Sequence, residues 1–305
     1  MAAGIATSQD FKAYLLPLVK ESIGIEYKQL NPVLPMIAKV MTTDKALDIV
    51  QELVGIGMAN RLEEGGVISF ESHRQGRNRT YASTEFAKGM AITRRAIDDG
   101  QAIDHISIMS KQLVKALFHR KETEGAAFFN NPTSTSDPYA GMDALALLST
   151  AHVLGNGATY ANKPTVDGPL AEKILEDAMV NVWNFIGNDG TRINADVKNL
   201  VIPPALHFVA SRLLGGSERP GTAERDINVL NKEGRLQDPI MWRFLTSSTA
   251  WFLLTDMEGF KLYQRAQPDL HSYNEEATRS IVYQIIERFV VNYDDSHFVY
   301  GSVGA

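Results

Sequence analysis

Ser149 and His152 stand three residues apart in Ser149-Thr150-Ala151-His152, which puts a nucleophile near a possible base. Hydrolysis would need that hydroxyl held against the imidazole and presented on a strained turn. No Gly-x-Ser-x-Gly elbow surrounds it, so a catalytic Ser149 is the lesser reading. Paired carboxylates occur at Asp98-Asp99 and Asp294-Asp295, where acid–base work or a cation site is one option. Neighbouring side chains on one segment diverge, and turn and cap roles are favoured. The seven histidines, at 73, 105, 119, 152, 207, 271 and 297, include no pair at metal-ligand spacing on one helix. His119, beside Arg120-Lys121-Glu122, reads as part of a solvated helix face. Gly155-Asn156-Gly157 lacks the third glycine and the preceding strand of a dinucleotide site and reads as a turn. With no cysteine in the chain, a thiolate nucleophile, a disulfide and a Cys-based zinc site are excluded. The expectation is a protein that is not an enzyme, with no catalytic, cofactor-binding or metal residues and no cofactor.

What remains is a basic, polar run, His73-Arg74-Gln75-Gly76-Arg77-Asn78-Arg79. Arg74, Arg77 and Arg79 could bind nucleic acid, but no interleaved aromatic platform accompanies them. Arginine also pairs bidentately with carboxylates across a protein interface, and this is the favoured reading. The flanking residues must position them. Gly65-Gly66 opens the unit, Val67-Ile68-Ser69-Phe70-Glu71 reads as a strand, the arginines make the tip, and Tyr81 to Thr93 returns as a second strand. An isolated two-stranded ribbon is marginal in water, so it needs another surface to lie on. That expectation is of an assembly protein.

The 305 residues are ample for a buried core, and 44% hydrophobic with 22% charged residues is ordinary globular composition. A net charge of -6 argues against gripping nucleic acid over most of the surface, though passive contact with DNA on one face is allowed. The N-terminus does not read as a secretory signal, and no stretch reaches the ~18 apolar residues of a membrane span. Residues 1–60 read as an arm broken by Pro17, Pro32 and Pro35, with one short amphipathic helix through Leu47, Val50, Leu53 and Val54. After the ribbon, Asp98-Asp99-Gly100 stops a short turn and Asp104 caps a long helix to Phe129, roughly 40 Å long. Ile103, Ile106, Met109, Leu113 and Leu117 form its apolar face, and Lys111, Lys115, Arg120, Lys121, Glu122 and Glu124 its solvent face. Beyond a polar linker, helices are expected at 169–185 and from Pro203-Pro204 to Gly215-Gly216. Gly215 to Asp226 reads as an exposed loop. Strands are expected at 199–202, 227–230, 250–254, 259–263 and 280–292.

Five blocks in order resemble the major capsid protein of tailed bacteriophages, of the Hong Kong 97-like fold. Gly65-Gly66-Val67-Ile68-Ser69-Phe70 with Thr80-Tyr81 is similar to that family's extended loop. Ala87 to Asp99 resembles its return strand and the lead into its spine helix. Leu148-Ser149-Thr150-Ala151-His152 with Tyr160-Ala161-Asn162 resembles a segment common in phage capsid sequences. Leu200 to Leu206 and Ala250 to Leu253 resemble its axial domain, and Arg288-Phe289 with Tyr300-Gly301-Ser302 its closing strand. The resemblance implies an α+β fold: an N-terminal arm (1–60), an extended β-hairpin loop (61–93) and a peripheral domain with the spine helix (94–140). An axial domain (141–274) and a return to the peripheral domain (275–305) would follow. It implies self-assembly into pentamers and hexamers of an icosahedral shell around double-stranded DNA, which is contacted non-specifically. Arg74, Arg77 and Arg79 would make inter-subunit contacts. Portal, scaffolding and possible decoration proteins are the implied partners, with no membrane; assembly would occur in the host cytoplasm and the product would be the virion. Some relatives crosslink through a loop lysine, but here Lys88 lies only at the loop's base, so no isopeptide link is expected. Some relatives also begin with a cleaved scaffolding segment, and about 60 residues before the loop suit an arm better. The alternative is an encapsulin-like nanocompartment shell enclosing cargo enzyme.

Overall fold

The structure, a computed structural model, describes residues 30–55, 58–65, 67, 68, 70, 74–93, 95, 102–216, 227–234, 236 and 238–304. In chain order the elements are α1 (Leu34–Ile37), β1 (Lys39–Thr42), β2 (Leu47–Val54), β3 (Arg74–Ala82), β4 (Thr84–Thr93) and α2 (Ala102–Asn130). Then come β5 (His152–Val153), β6 (Thr159–Tyr160), α3 (Glu172–Trp183), β7 (Val197–Ile202), α4 (His207–Gly215), α5 (Val229–Glu233) and β8 (Ile240–Met241). The chain closes with β9 (Trp251–Thr255), β10 (Phe260–Glu275), β11 (Ser280–Tyr293) and β12 (Val299–Ser302). Two four-stranded sheets, β1-β10-β11-β4 and β12-β9-β7-β8, carry the architecture, and β2–β3 and β5–β6 form separate pairs. This is an α+β fold.

The α2 helix joins two cores. Its 29 residues span ~44 Å at ~1.5 Å per residue. Leu113 and Leu117 pack under β4 and β11 against Met90, Ile92, Ile281, Tyr283 and Ile285. About two to three turns further on, Ala126, Phe128 and Phe129 enter a second core with Trp242, Phe252, Phe260 and Phe298. Phe129 is 1% exposed and meets Trp242, Phe252 and Phe260 edge-on, so truncating it would cost ~3–5 kcal/mol. A third core joins α3 and α4 to β7, β9 and β12 through Leu175, Val182, Leu200, Ala210, Trp251 and Tyr300.

Several sequence expectations need correction. Lys121 and Glu122 do not face solvent; both are buried on α2. Lys121 forms an ion pair with Glu287 of β11, which also accepts from Gln264 Nε2 at 2.8 Å. Glu122 Oε1 accepts the Leu34 N–H at 3.0 Å and Oε2 the Trp242 Nε1–H at 2.7 Å. Burial pushes its carboxyl up, against the lowering effect of those bonds. Periodicity counts apolar residues and misses charged ones whose partners arrive from distant sequence. The segment read as a helix in the arm is strand β2, and Ile227–Leu230 runs into α5 instead of forming a strand. The strand expected at 259–263 extends to Glu275 and, with β11, makes the longest hairpin among the described residues. Asp98-Asp99-Gly100, His73 and most of the loop at 215–226 lie outside the described residues.

Candidate assembly site

His152 is not poised to activate Ser149. Its Nδ1 lies 2.6 Å from Asp143 Oδ2, and Nε2 lies 3.2 Å from Asn162 Oδ1 and 3.3 Å from the Leu147 carbonyl. Ser149 Oγ accepts the Ala151 N–H, a local turn bond. Asp294 pairs with Lys261, and Asp295 accepts the His297 N–H at 3.0 Å to cap the 3-10 turn Ser296–Phe298. Gly157 adopts a positive φ of 87° in the turn between β5 and β6, which glycine tolerates. Among the described residues no group of three or more His, Cys, Asp or Glu could hold a metal ion.

The ribbon is real but differently registered. β3 pairs antiparallel with β2, from Leu47↔Ala82 to Val54↔Arg74. At Ser83 the chain changes partner, and β4 pairs with β11 from Thr84↔Phe289 to Thr93↔Ser280. The return strand is therefore two strands in two sheets, and Arg74 to Arg79 belong to β3, not to a tip. Val67, Ile68 and Phe70 carry no strand.

Arg77 and Arg79 turn back onto their own subunit. Arg79 Nη2 donates to Asp137 Oδ1 at 2.9 Å and to the Pro138 carbonyl at 3.2 Å, while Nη1 donates to the Ala140 carbonyl. Its guanidinium also lies 5.7 Å from the centre of the Tyr81 ring. Arg77 Nη1 donates to the Val153 carbonyl at 2.9 Å, and its N–H donates to Glu52 Oε2 at 3.3 Å. Tyr81 OH donates to the Tyr293 carbonyl at 3.2 Å. Burial first, then the nearby Asp294 carboxylate, pushes the Tyr81 phenol well above its usual range. These bonds fix where the ribbon leaves the body.

The segment joining β2 to β3 has the opposite character. Met58, Leu62 and Ile68 are exposed, and Val67 and Phe70 are 92% and 89% exposed. Leu47 and Ile49 on β2 are exposed as well. Sequence reasoning took Val67 to Phe70 as a strand and overlooked their exposure. The available signal was their setting, an apolar run flanked by Glu63-Glu64-Gly65-Gly66 and a basic segment with no helix or strand long enough to cover it.

Beneath the ribbon's base lies a polar cavity of about 240 Å³. Val50 to Glu52 and Arg77 form one wall, and Asp143, His152, Tyr160 and the Asp294–His297 turn form the other. Sequence reasoning missed this grouping because its members come from stretches far apart along the chain. Asp-x-His at 295–297 was the local clue.

A family model described as phage capsid protein matches residues 77–299. Comparison with curated proteins finds no sequence match. Solved structures share the fold at low identity. The capsid of a native GTA particle is 15% identical with a TM-score of 0.56, covering 89% of this chain and 90% of that one. The structure titled Mycobacterium phage Adephagia is 13% identical with a TM-score of 0.55, covering 90% of each chain. A virus-like particle from Pyrococcus furiosus is 9% identical with a TM-score of 0.54, covering 93% and 97%. With the family model spanning most of the ribbon's second strand, the long helix and most strands of both sheets, the chain belongs to the phage capsid protein family and is a major capsid protein of the head shell.

Proposed function

We propose that this major capsid protein assembles through its ribbon into pentamers and hexamers of an icosahedral head enclosing double-stranded DNA. The observation that carries the reading is a ribbon fixed at its base by Arg77 and Arg79 whose outer segment exposes Met58, Leu62, Val67, Ile68 and Phe70. An apolar run of this kind needs a covering surface. Each fully buried large side chain is worth ~1.5–3 kcal/mol, and many moderate contacts cooperate in a closed shell. Identical copies related by rotation supply the surface, and closure of head-to-tail contacts gives rings. In this reading Arg77 and Arg79 set the ribbon's angle within the subunit, and the apolar segment makes the contact with the neighbour. Arg74 sits in the same strand, and no inter-subunit role is assigned to it.

The net charge of -6 suits a wall that touches packaged DNA without gripping it. Portal, scaffolding and decoration proteins complete the proposed set of partners, and assembly is assigned to the host cytoplasm. Among the described residues no helix is long and apolar enough to cross a membrane. No catalytic step is assigned to the chain. Electron microscopy of purified particles with an assay for nuclease-protected DNA tests the reading. DNA-filled shells are expected. Shells filled with protein cargo would support the nanocompartment alternative, and a dispersed monomer would overturn both.

A further inference from the structure

We infer that the ribbon is latched to the body by two proton-holding Asp–His pairs, so that its seating depends on pH. The functional importance of this latch rests on the proposed role of the ribbon between copies.

In the cavity under β2 and β3 the Tyr160 ring is stacked between two imidazoles, His152 at 5.2 Å and His297 at 4.0 Å between ring centres. Each imidazole faces acceptors at both nitrogens. For His152 these are the Asp143 carboxylate on Nδ1, and the Asn162 Oδ1 and Leu147 carbonyl on Nε2. The Asn162 amide cannot be reversed, because Oδ1 also accepts the Ser149 N–H at 2.8 Å and Nδ2 donates to the Leu147 carbonyl at 2.8 Å. For His297 the acceptors are the Asp295 carboxylate on Nδ1 and the Ile186 carbonyl, 3.0 Å from Nε2. A neutral imidazole has one N–H and would leave a ring lone pair against an oxygen in a buried site. Both sets of contacts are satisfied only when each pair holds one proton more than a carboxylate and a neutral ring. The Asp143 and Asp295 carboxyls agree: burial alone would raise them, yet the histidine bonds and charge hold them below their ordinary range.

The same residues touch the ribbon. His152 lies in β5, and the carbonyl of the next residue, Val153, accepts from Arg77 Nη1 on β3. Two residues further, a Cβ on Gly155 would stand 2.5 Å from Val54 Cγ2 on β2, so β2 lies directly against this loop. Glu52 faces the cavity from β2, Lys261 from β10, and Asp294 from the turn after β11. With both rings charged, Arg77, Lys261, His152 and His297 balance Glu52, Asp143, Asp294 and Asp295. Loss of either ring proton leaves the cavity net negative. It also sets a ring nitrogen against a carbonyl, which favours movement of β5 or of the 3-10 turn Ser296–Phe298. Movement of β5 displaces the acceptor that holds Arg77.

The test uses the full-length chain, whose lack of cysteine permits site-directed spin labels at Ile49→Cys on β2 and Val180→Cys on α3, diluted into unlabelled chain. The inter-label distance is measured between about pH 5 and about pH 9, the range that brackets histidine titration. A single short distance is expected at the acid end, with a second population growing as the pH rises. His152→Gln/His297→Gln, which keeps one donor at each position, should abolish that dependence. An unchanged distance across the range, or an equal shift in the double variant, would overturn the latch. Should the double variant fail to fold, ring ¹⁵N shifts of the wild-type chain decide: a change of ring protonation that accompanies the growth of the second population is expected, and rings whose state does not change with that population refute the inference. Electron microscopy of the same samples reports shell formation separately, so failure of the latch and failure of the assembly reading are distinguishable.

Discussion

Lys121 and Glu287 show what a charged residue on an apparently solvated helix face can be doing. Their side chains are 7% and 1% exposed, and they tie α2 to β11 where the sheet crosses the helix. Burial raises the Glu287 carboxyl despite the opposing pull of Lys121. Lys121→Met would strand that carboxylate in the interior, and a loss of ~3–5 kcal/mol in urea unfolding is expected, largely recovered in Lys121→Met/Glu287→Met. A small loss in the single variant would contradict the pairing. The acid response follows from Asp143 and Asp295. A carboxyl lowered in the folded state contributes stability above its ordinary value of ~4 and loses it as the pH falls through the folded value. Glu122 and Glu287 are raised and act with opposite sign, gaining stability as the pH falls toward the glutamate range. Asp143 and Asp295 therefore contribute to a decline in stability below about pH 4, and Asp143→Asn and Asp295→Asn should each flatten it in pH-dependent denaturation. An equally steep acid limb in both variants would count against their pairing with the histidines.

At the scale of elements, packing partners decided what pattern could not. Leu47, Val50, Leu53 and Val54 have helical spacing, yet β2 is a strand because β3, more than twenty residues later, offers it a full ladder. One face of that ribbon lies against the body, with Tyr81 buried and Arg77 and Arg79 half-buried, while Leu47, Ile49, Asn78 and Thr80 on the other are exposed. Because Asp48, Glu52, Arg77 and Arg79 stand on the inner face, no hydrophobic alternation marks it in the sequence. The outer half of β10 is equally silent, being polar from Gln264 to Glu275, whereas β11 with its Ile, Val, Tyr and Phe was legible over almost its whole length. The long helix was legible because its apolar repeat is long and regular. The corner joining β10 to the Ser296–Phe298 turn depends on Gly259: a Cβ there would sit 2.1 Å from the Asp295 carbonyl oxygen and 3.0 Å from Phe298. Gly259→Ala should therefore lower the thermal midpoint by several degrees at least, since backbone must move to admit the methyl group. A midpoint equal to wild type would show that the corner yields freely.

For the whole molecule, the family and the α+β architecture were legible in the order of the blocks, but the exposure of Val67, Ile68 and Phe70 was not. Charge is conspicuous in a sequence, and exposure is not. Arg79 is held against Asp137 and the Pro138 and Ala140 carbonyls, whereas Val67, Ile68 and Phe70 between β2 and β3 are exposed. Lys88 sits exposed on β4, an edge strand of its sheet; edge lysines also discourage unwanted strand pairing. Shell subunits boiled in denaturant should accordingly run as monomers, and ladders of linked subunits would refute the non-covalent account. Assembly through the exposed apolar residues is decided by electron microscopy of Val67→Ser/Ile68→Ser/Phe70→Ser beside wild type, with circular dichroism of each. Wild type is expected to form shells, and the variant to keep the wild-type spectrum while forming few or none. Normal shells from the folded variant would contradict assembly through these residues.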